Sequence, residues 1–374
     1  MAIDHLPQNL YRIRKSRDLN MESLAGMIGL SRIAYSNLEN GKSQPKSSTL
    51  AALSKALQID IGDLLAVPPE FSSLRFRSSN ILNKTQQNMR NQLLYDVHRW
   101  LKDYNELSLL LGYPRPRQLK VRSSDPVKAA AEFRKFMNLD EDEPVLDIIG
   151  LLEKHGVKFY LKESKLDKFF GFSIGTADGG PAIVVNTEKG ISIERHIFTV
   201  AHELSHLLLH RSSFKPDEVS EIDTEEKEAD RFAGHFLLPE CGFNRELKES
   251  KGLHWIDAVL HIKRKFRVSY KTILHRIIET EGIPAKDLYP EFSLEIKKRY
   301  GISLKNHYEP YPIEEEIGRE PVPLDSNDFV EDKLSRLVRE AYEKEELSLS
   351  RAAEILRLSL PAMRNLVDNW KLCA

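Results

Sequence analysis

The chain has 374 residues, more than one ordinary hydrophobic core organises, so two to four domains of about 100 to 200 residues are expected. Hydrophobic residues make up 41% and charged residues 30%, a balance that excludes wholesale disorder. With 55 basic and 56 acidic side chains the net charge is −1, so bulk electrostatics does not point to nucleic acid, and such a role requires a local motif.

The first ten residues, MAIDHLPQNL, lack a basic head followed by an apolar run, and no stretch of about 18 apolar residues occurs. A cytoplasmic protein without membrane association is expected. Only Cys241 and Cys373 are present, too few for a disulfide framework or a four-thiolate site, so any metal must be held by His and carboxylate.

Between residues 10 and 65, short helical stretches alternate with polar turns at 18–20, 29–31 and 40–46, which predicts a small helical bundle. Within it, Leu24-Ala25-Gly26-Met27-Ile28-Gly29-Leu30-Ser31 combines a helix carrying a small residue, a Gly turn and a serine able to cap the next helix. This is helix-turn-helix spacing. Residues 32–39 become the expected recognition helix, with Tyr35, Leu38 and Ile33 partly core and Arg32, Ser36 and Asn37 facing a DNA groove; Lys42 and Lys46 are placed to meet phosphates. Over about 60 residues the segment resembles the Cro/repressor (XRE) family, which implies DNA as a partner. Its eight Lys/Arg against six acids give only +2 over residues 1–66, so non-specific affinity is expected to be modest. The other reading of the bundle is protein contact, including pairing with a second repressor-like domain, as in a homodimer.

The expected organisation is a helix-turn-helix domain at 1–67, a helical linker region at 68–118, a domain of helices and short strands at 119–283, a proline-rich irregular connector at 284–330 and a helical, helix-turn-helix-like region at 331–374. In the region at 119–283, Asp125-Pro126 reads as an N-cap followed by proline at the first helical position. Short apolar runs at 157–161, 169–174 and 182–186 predict a small antiparallel sheet, and helical periodicity returns at 194–210, 225–238 and 255–280. The fold class is therefore α+β and mostly helical. Extended substrate is expected to add to the edge of the sheet, with 182–186 as the strand concerned.

On the helix at 194–210 stands His202-Glu203-Leu204-Ser205-His206, an HExxH arrangement whose imidazoles share one face and can reach one ion. Neutral imidazole suits Zn2+, and Glu203, facing the same cavity, is placed to act as general base toward water. The flanking residues are apolar, so the polar trio is buried and needs a partner. Glu225-Glu226-Lys227-Glu228-Ala229-Asp230 opens the next helix and offers a third ligand. Glu228 faces about 200° away from Glu226 and is the alternative ligand. The spacing resembles the thermolysin-like gluzincins, which implies Glu226 as the third ligand and Asp230 as the group that holds a ligand histidine from behind.

Together, HELSHLLLH and EKEADRFAGHFLLP resemble the ImmA/IrrE family of zinc metallopeptidases over residues 125–283. Ser205 and Asp230 stand where that family often has glycine and asparagine. The resemblance implies zinc held by His202, His206 and Glu226, Glu203 as the catalytic base, and site-specific cleavage of a transcriptional repressor in stress response or mobile-element control. The alternative is a non-proteolytic transcription regulator or antitoxin-like protein that uses the same fold as a sensor or dimerisation platform. The intact Glu203 argues against it. Tyr270, His254, His261 and His275 are candidates for stabilising an oxyanion, whereas His196, His210 and His235 are expected to pack or cap.

Overall fold

The computed structural model describes residues 5–76, 83–114, 119–214, 222–301, 303–304, 309–310, 324, 326–330 and 332–372. Two compact units emerge. The first comprises Met1–Phe71, Asn80–Lys102 and Lys165–Lys168, and the second Ser72–Ser79, Asp103–Ser164 and Phe169–Ala374.

In the first unit five helices follow closely: α1 (Leu6–Ser16), α2 (Met21–Met27), α3 (Arg32–Glu39), α4 (Ser47–Leu57) and α5 (Ile61–Leu65). The starts of α2 and α3 are set by side chains that accept otherwise orphaned amides: Asn20 from Ser23 at 2.7 Å and Ser31 from Ala34 at 3.1 Å. Leu10, Leu24, Tyr35, Leu53 and Leu57 are among the side chains that close a separate core. A buried ion pair fixes α3 against α1: Arg14 donates to both Glu39 carboxylate oxygens, at 2.7 and 2.5 Å. Residues 84–110 then form one helix, α6 (Lys84–Leu110).

The second unit holds α7 (Pro126–Phe136), α8 (Ile148–Glu153), α9 (Ile193–Leu209) and α10 (Asp223–Leu237), followed by α11 (Glu240–Glu249), α12 (Trp255–Phe266), α13 (Tyr270–Glu281) and α14 (Ala285–Tyr300). The helical run expected at 255–280 is broken at Arg267, which adopts a left-handed conformation, and restarts behind Ser269, whose side chain accepts from the Thr272 amide. At 284–330 an irregular connector was expected, yet it begins with α14. Pro290 lies inside that helix, and Leu288, Phe292 and Ile296 bury its apolar stripe in the unit's main core. The part of the connector at 311–323 lies outside the described residues. Three more helices, α15 (Lys333–Glu343), α16 (Leu349–Ile355) and α17 (Leu360–Leu372), belong to the same unit.

A four-stranded sheet runs in the order β1 (Leu74–Phe76), β3 (Gly171–Ile174), β4 (Ala182–Asn186) and β2 (Lys158–Lys162). The expected antiparallel pairing holds for β3–β4, but β2 and β4 are parallel, and β1, which was not expected, adds antiparallel to β3, so the sheet is mixed. The strand at 182–186, expected to present a substrate edge, is instead β4. It lies between β3 and β2 with all five residues buried, which removes it as an edge. Instead, α9 packs beneath β3 and β4. Gly171 is the point of closest approach: a Cβ there would stand 2.7 Å from both the Thr199 methyl and the Val184 carbonyl oxygen, so only glycine lets β3 settle this near α9.

Candidate active site

The apolar residues of α9 drive it into the core, and the helix carries its polar set inward with them: His202, Glu203 and His206 are all at most 5% exposed. Its start is fixed by Ser192, which accepts from the Arg195 amide. α10 packs along α9 and presents Glu226 from its first turn. The Nε2 atoms of His202 and His206 lie 3.1 Å apart, and Glu226 approaches them with Oε2 at 3.6 Å and Oε1 at 3.7 Å. Two ligands bound to zinc at about 2.0–2.1 Å with a tetrahedral angle stand about 3.4 Å apart, so the donor set and its spacing fit a divalent metal of this kind. Among the described residues, this trio is the only group of His, Cys and acidic side chains whose ligand atoms converge so closely.

The outer partners set the tautomers. His202 Nδ1 donates to Asp230 Oδ1 at 2.7 Å, which leaves the Nε2 lone pair directed at the trio. His206 Nδ1 meets His210 Nδ1 at 2.8 Å, and His210 Nε2 meets Glu228 Oε2 at 2.9 Å. Only one Nδ1 of that pair can carry the proton. For His206 to offer Nε2 as a ligand, its Nδ1 must donate, His210 must accept, and His210 Nε2 must donate to Glu228. Glu228, the alternative ligand from the sequence, is thus placed outside the trio at the end of a carboxylate–imidazole–imidazole chain. His210, expected to cap or pack, is the middle of that chain.

Glu203 receives a hydrogen bond from Ser173 Oγ of β3 at 2.9 Å. Ser173 was hidden from sequence reasoning inside an apolar strand. A second missed residue is Arg75 on β1, whose side chain is 9% exposed. It pairs with Glu225 through Nη1 and with Glu226 Oε1 through Nη2 at 3.1 Å. Burial pushes the Glu225 carboxyl up, but the Ser213 hydroxyl and Arg75 outweigh it and hold the group below its ordinary range. The alternating run Leu74-Arg75-Phe76 is the signal for this strand, though three residues are too few to stand out.

Of the oxyanion candidates, Tyr270 is buried and stacked on Phe292, and burial pushes its hydroxyl up to about 12. His254 caps α12, and His261 pairs with Glu246 at 3.3 Å. Of the four candidates, only His275 borders a cavity of about 410 Å³, which Asp230, Phe198 and Arg195 also line and which none of the trio reaches. As expected, His196 packs: it lies against Phe329, and burial lowers it to about 4. His235 is likewise pushed down to about 4 by burial and by the neighbouring Arg276.

In the first unit the helix expected to serve recognition is α3. Arg32, Lys42 and Lys46 are exposed, whereas Ser36 and Asn37 are half-buried. The Ser36 carbonyl and hydroxyl oxygens accept from Asn40 at 2.7 and 3.1 Å, and the Asn37 carbonyl accepts from the Lys42 amide at 2.8 Å. Ile33, expected to be partly core, is instead 75% exposed.

Comparison with known families agrees with this division. The family described as IrrE N-terminal-like domain matches residues 152–277, and the family described as Helix-turn-helix matches residues 10–64. No curated protein matches the chain. No helix among the described residues is long and apolar enough to cross a membrane. The chain is therefore a fusion of a helix-turn-helix domain of the Cro/repressor (XRE) type with an IrrE/ImmA-like peptidase domain.

Proposed function

We propose that the protein is a DNA-binding, zinc-dependent endopeptidase of the cytoplasm that cleaves a protein substrate of the transcriptional-repressor class. The observation that carries this reading is the buried Glu203 carboxylate on the same helix as His202 and His206, whose ligand atoms converge with those of Glu226 from the next helix. A site that only stored metal would have no use for the base. Bound by that trio, zinc supplies Lewis-acid polarisation of a peptide carbonyl and of water. Ser173 orients Glu203, which takes a proton from the attacking water and returns it to the leaving amide nitrogen. Asp230, and His210 with Glu228, keep the two imidazoles in the ligand tautomer. The exposed Arg32, Lys42 and Lys46, with Ser36 and Asn37 between them, serve to bring the peptidase to DNA-bound substrate.

The test compares purified parent with Glu203→Gln on candidate repressors encoded beside the protein, with metal content measured in parallel. Cleavage should fall by about 10²- to 10⁴-fold while one zinc per chain is retained. Equal cleavage by both would overturn the assignment of the base. No cleavage by either, with promoter occupancy and regulation unchanged in the variant, would instead favour a non-proteolytic regulator.

A further inference from the structure

We propose that residues 72–76 are a built-in, substrate-like strand that occupies the peptide-binding edge of the cleft and holds the peptidase inactive until it is withdrawn. The proposal rests on the peptidase reading above, and four observations carry it.

The first is position. Of the strands above α9, β3 carries the Ser173 that binds Glu203, so its outer edge is the one an extended peptide must use to bring a scissile bond to that carboxylate. That edge is taken by β1, antiparallel, with Leu74 opposite Ile174, Arg75 opposite Ser173 and Phe76 opposite Phe172. The second is the side chain. Arg75 shares a register position with Ser173 and reaches the acidic pair Glu225 and Glu226, one of them a proposed metal ligand. An arginine-bearing peptide in the same register would find the same two carboxylates.

The third is the way the strand is fastened. Asp178 clamps its start, accepting from the Ser72 amide at 2.9 Å, the Ser72 hydroxyl at 2.7 Å and the Ser73 hydroxyl at 3.0 Å, and the Gly175 amide donates to the Ser73 carbonyl at 2.8 Å. These contacts are polar and lie at Ser72 and Ser73, just before a ladder of only three residues in which Leu74 is the buried side chain, so they can exchange for equivalent contacts with a competing peptide. The fourth is connectivity. The chain on both sides of residues 72–79 belongs to the helix-turn-helix unit, so what that unit binds can act on the strand through the backbone.

The experiment uses the full chain carrying Glu203→Gln, so that peptide is bound but not cut, loaded with zinc. The probe is a fluorescein-labelled heptapeptide with the sequence of residues 71–77, and a second in which glutamate replaces the arginine that corresponds to Arg75. Binding is read by anisotropy in four backgrounds: Glu203→Gln alone, with Asp178→Ala, with Arg75→Glu, and with Ser73→Cys plus Gly175→Cys. An ideal Cβ at Gly175 lies 3.0 Å from the Ser73 Cβ, close enough for a disulfide to lock the strand after modest relaxation. The arginine peptide should bind the Asp178→Ala and Arg75→Glu chains at least tenfold more tightly than Glu203→Gln alone. It should fail to bind the oxidised lock and recover on reduction. The glutamate peptide should bind the Asp178→Ala chain at least tenfold more weakly than the arginine peptide. Equal affinity in the released chains and Glu203→Gln alone, or undiminished binding by the oxidised lock, would overturn the proposal. If released chains that retain Glu203 cleave no peptide while the binding pattern holds, the peptidase reading fails and the occupied edge stands.

Discussion

The outer partners of the two histidines make a graded prediction for metal affinity. Removing the hydrogen-bond partner of a ligand imidazole typically costs 10- to 100-fold. Asp230 has a side chain 63% exposed, so solvent screens its charge, and Asp230→Ala is expected at the low end, about tenfold or about 1.4 kcal/mol. His210 is buried, with a side chain 6% exposed, and its loss removes the acceptor that His206 Nδ1 meets at 2.8 Å, so His210→Leu belongs near about 100-fold or about 2.7 kcal/mol. Glu228 is 48% exposed and acts one residue further out; Glu228→Gln is expected to change affinity by no more than about threefold. With zinc in excess, metal-dependent stabilisation falls by the same amounts. For a domain of this size that lowers the holo melting temperature by about 3–5 °C for Asp230→Ala and about 5–10 °C for His210→Leu. Chelator competition gives the affinities, and melting with and without zinc gives the linkage. Parental zinc affinity in both Asp230→Ala and His210→Leu would refute the tautomer argument. A larger loss in Glu228→Gln than in His210→Leu would refute the order of the chain.

Gly171→Ala should cost about 1–3 kcal/mol by urea denaturation, because the added methyl meets the Thr199 methyl and the Val184 carbonyl; unchanged stability would show that β3 does not press on α9 as described. His196 is buried and lowered to about 4, against about 6.5 unfolded. Its stabilising contribution is therefore fully present above about pH 6.5 and lost as pH falls toward 4, by at most about 3 kcal/mol. His196→Leu should flatten stability between those values, and an unaltered slope would assign the acid sensitivity elsewhere. Lys42→Ala and Lys46→Ala should each weaken DNA binding across sequences and reduce the salt slope by about one, measured by titration at several salt concentrations; an unchanged slope would remove them from the phosphate contacts.

Much of the site was legible because its chemistry is local. His202, Glu203 and His206 occupy one turn of a helix whose apolar flanks announce burial, and 3.6-residue periodicity alone puts both rings on one face. Glu226 could be separated from Glu228 by helical phase, but its arrival beside the rings depends on α10 packing along α9. What escaped the sequence depends on tertiary neighbours. Arg75 meets Glu226 across 151 positions, and no periodicity links them. Ser173 looks like any small residue in a strand until β3 is laid on α9. His210 continues the i, i+4 ladder from His206, and only the position of Glu228 turns it from a helix-end histidine into a relay. The short β1 and the helix around Pro290 were missed for another reason: three residues give too little alternation, and an internal proline argues locally against a helix that burial of Leu288, Phe292 and Ile296 nevertheless favours.

The pairing of Leu74 with Ile174 spans 100 positions, and that separation has a consequence during synthesis. At about 5–20 residues per second, β1 leaves the ribosome several seconds before its partner is made. The bundle of α1 to α5 closes through contacts within residues 6–65, so it has time to fold while the strand beside it waits unpaired. Three residues with an arginine at their centre make a poor template for aggregation, which suits a strand that must wait. The helix-turn-helix is thus finished before the peptidase sheet can close, and a nascent chain can meet DNA before it possesses an assembled cleft.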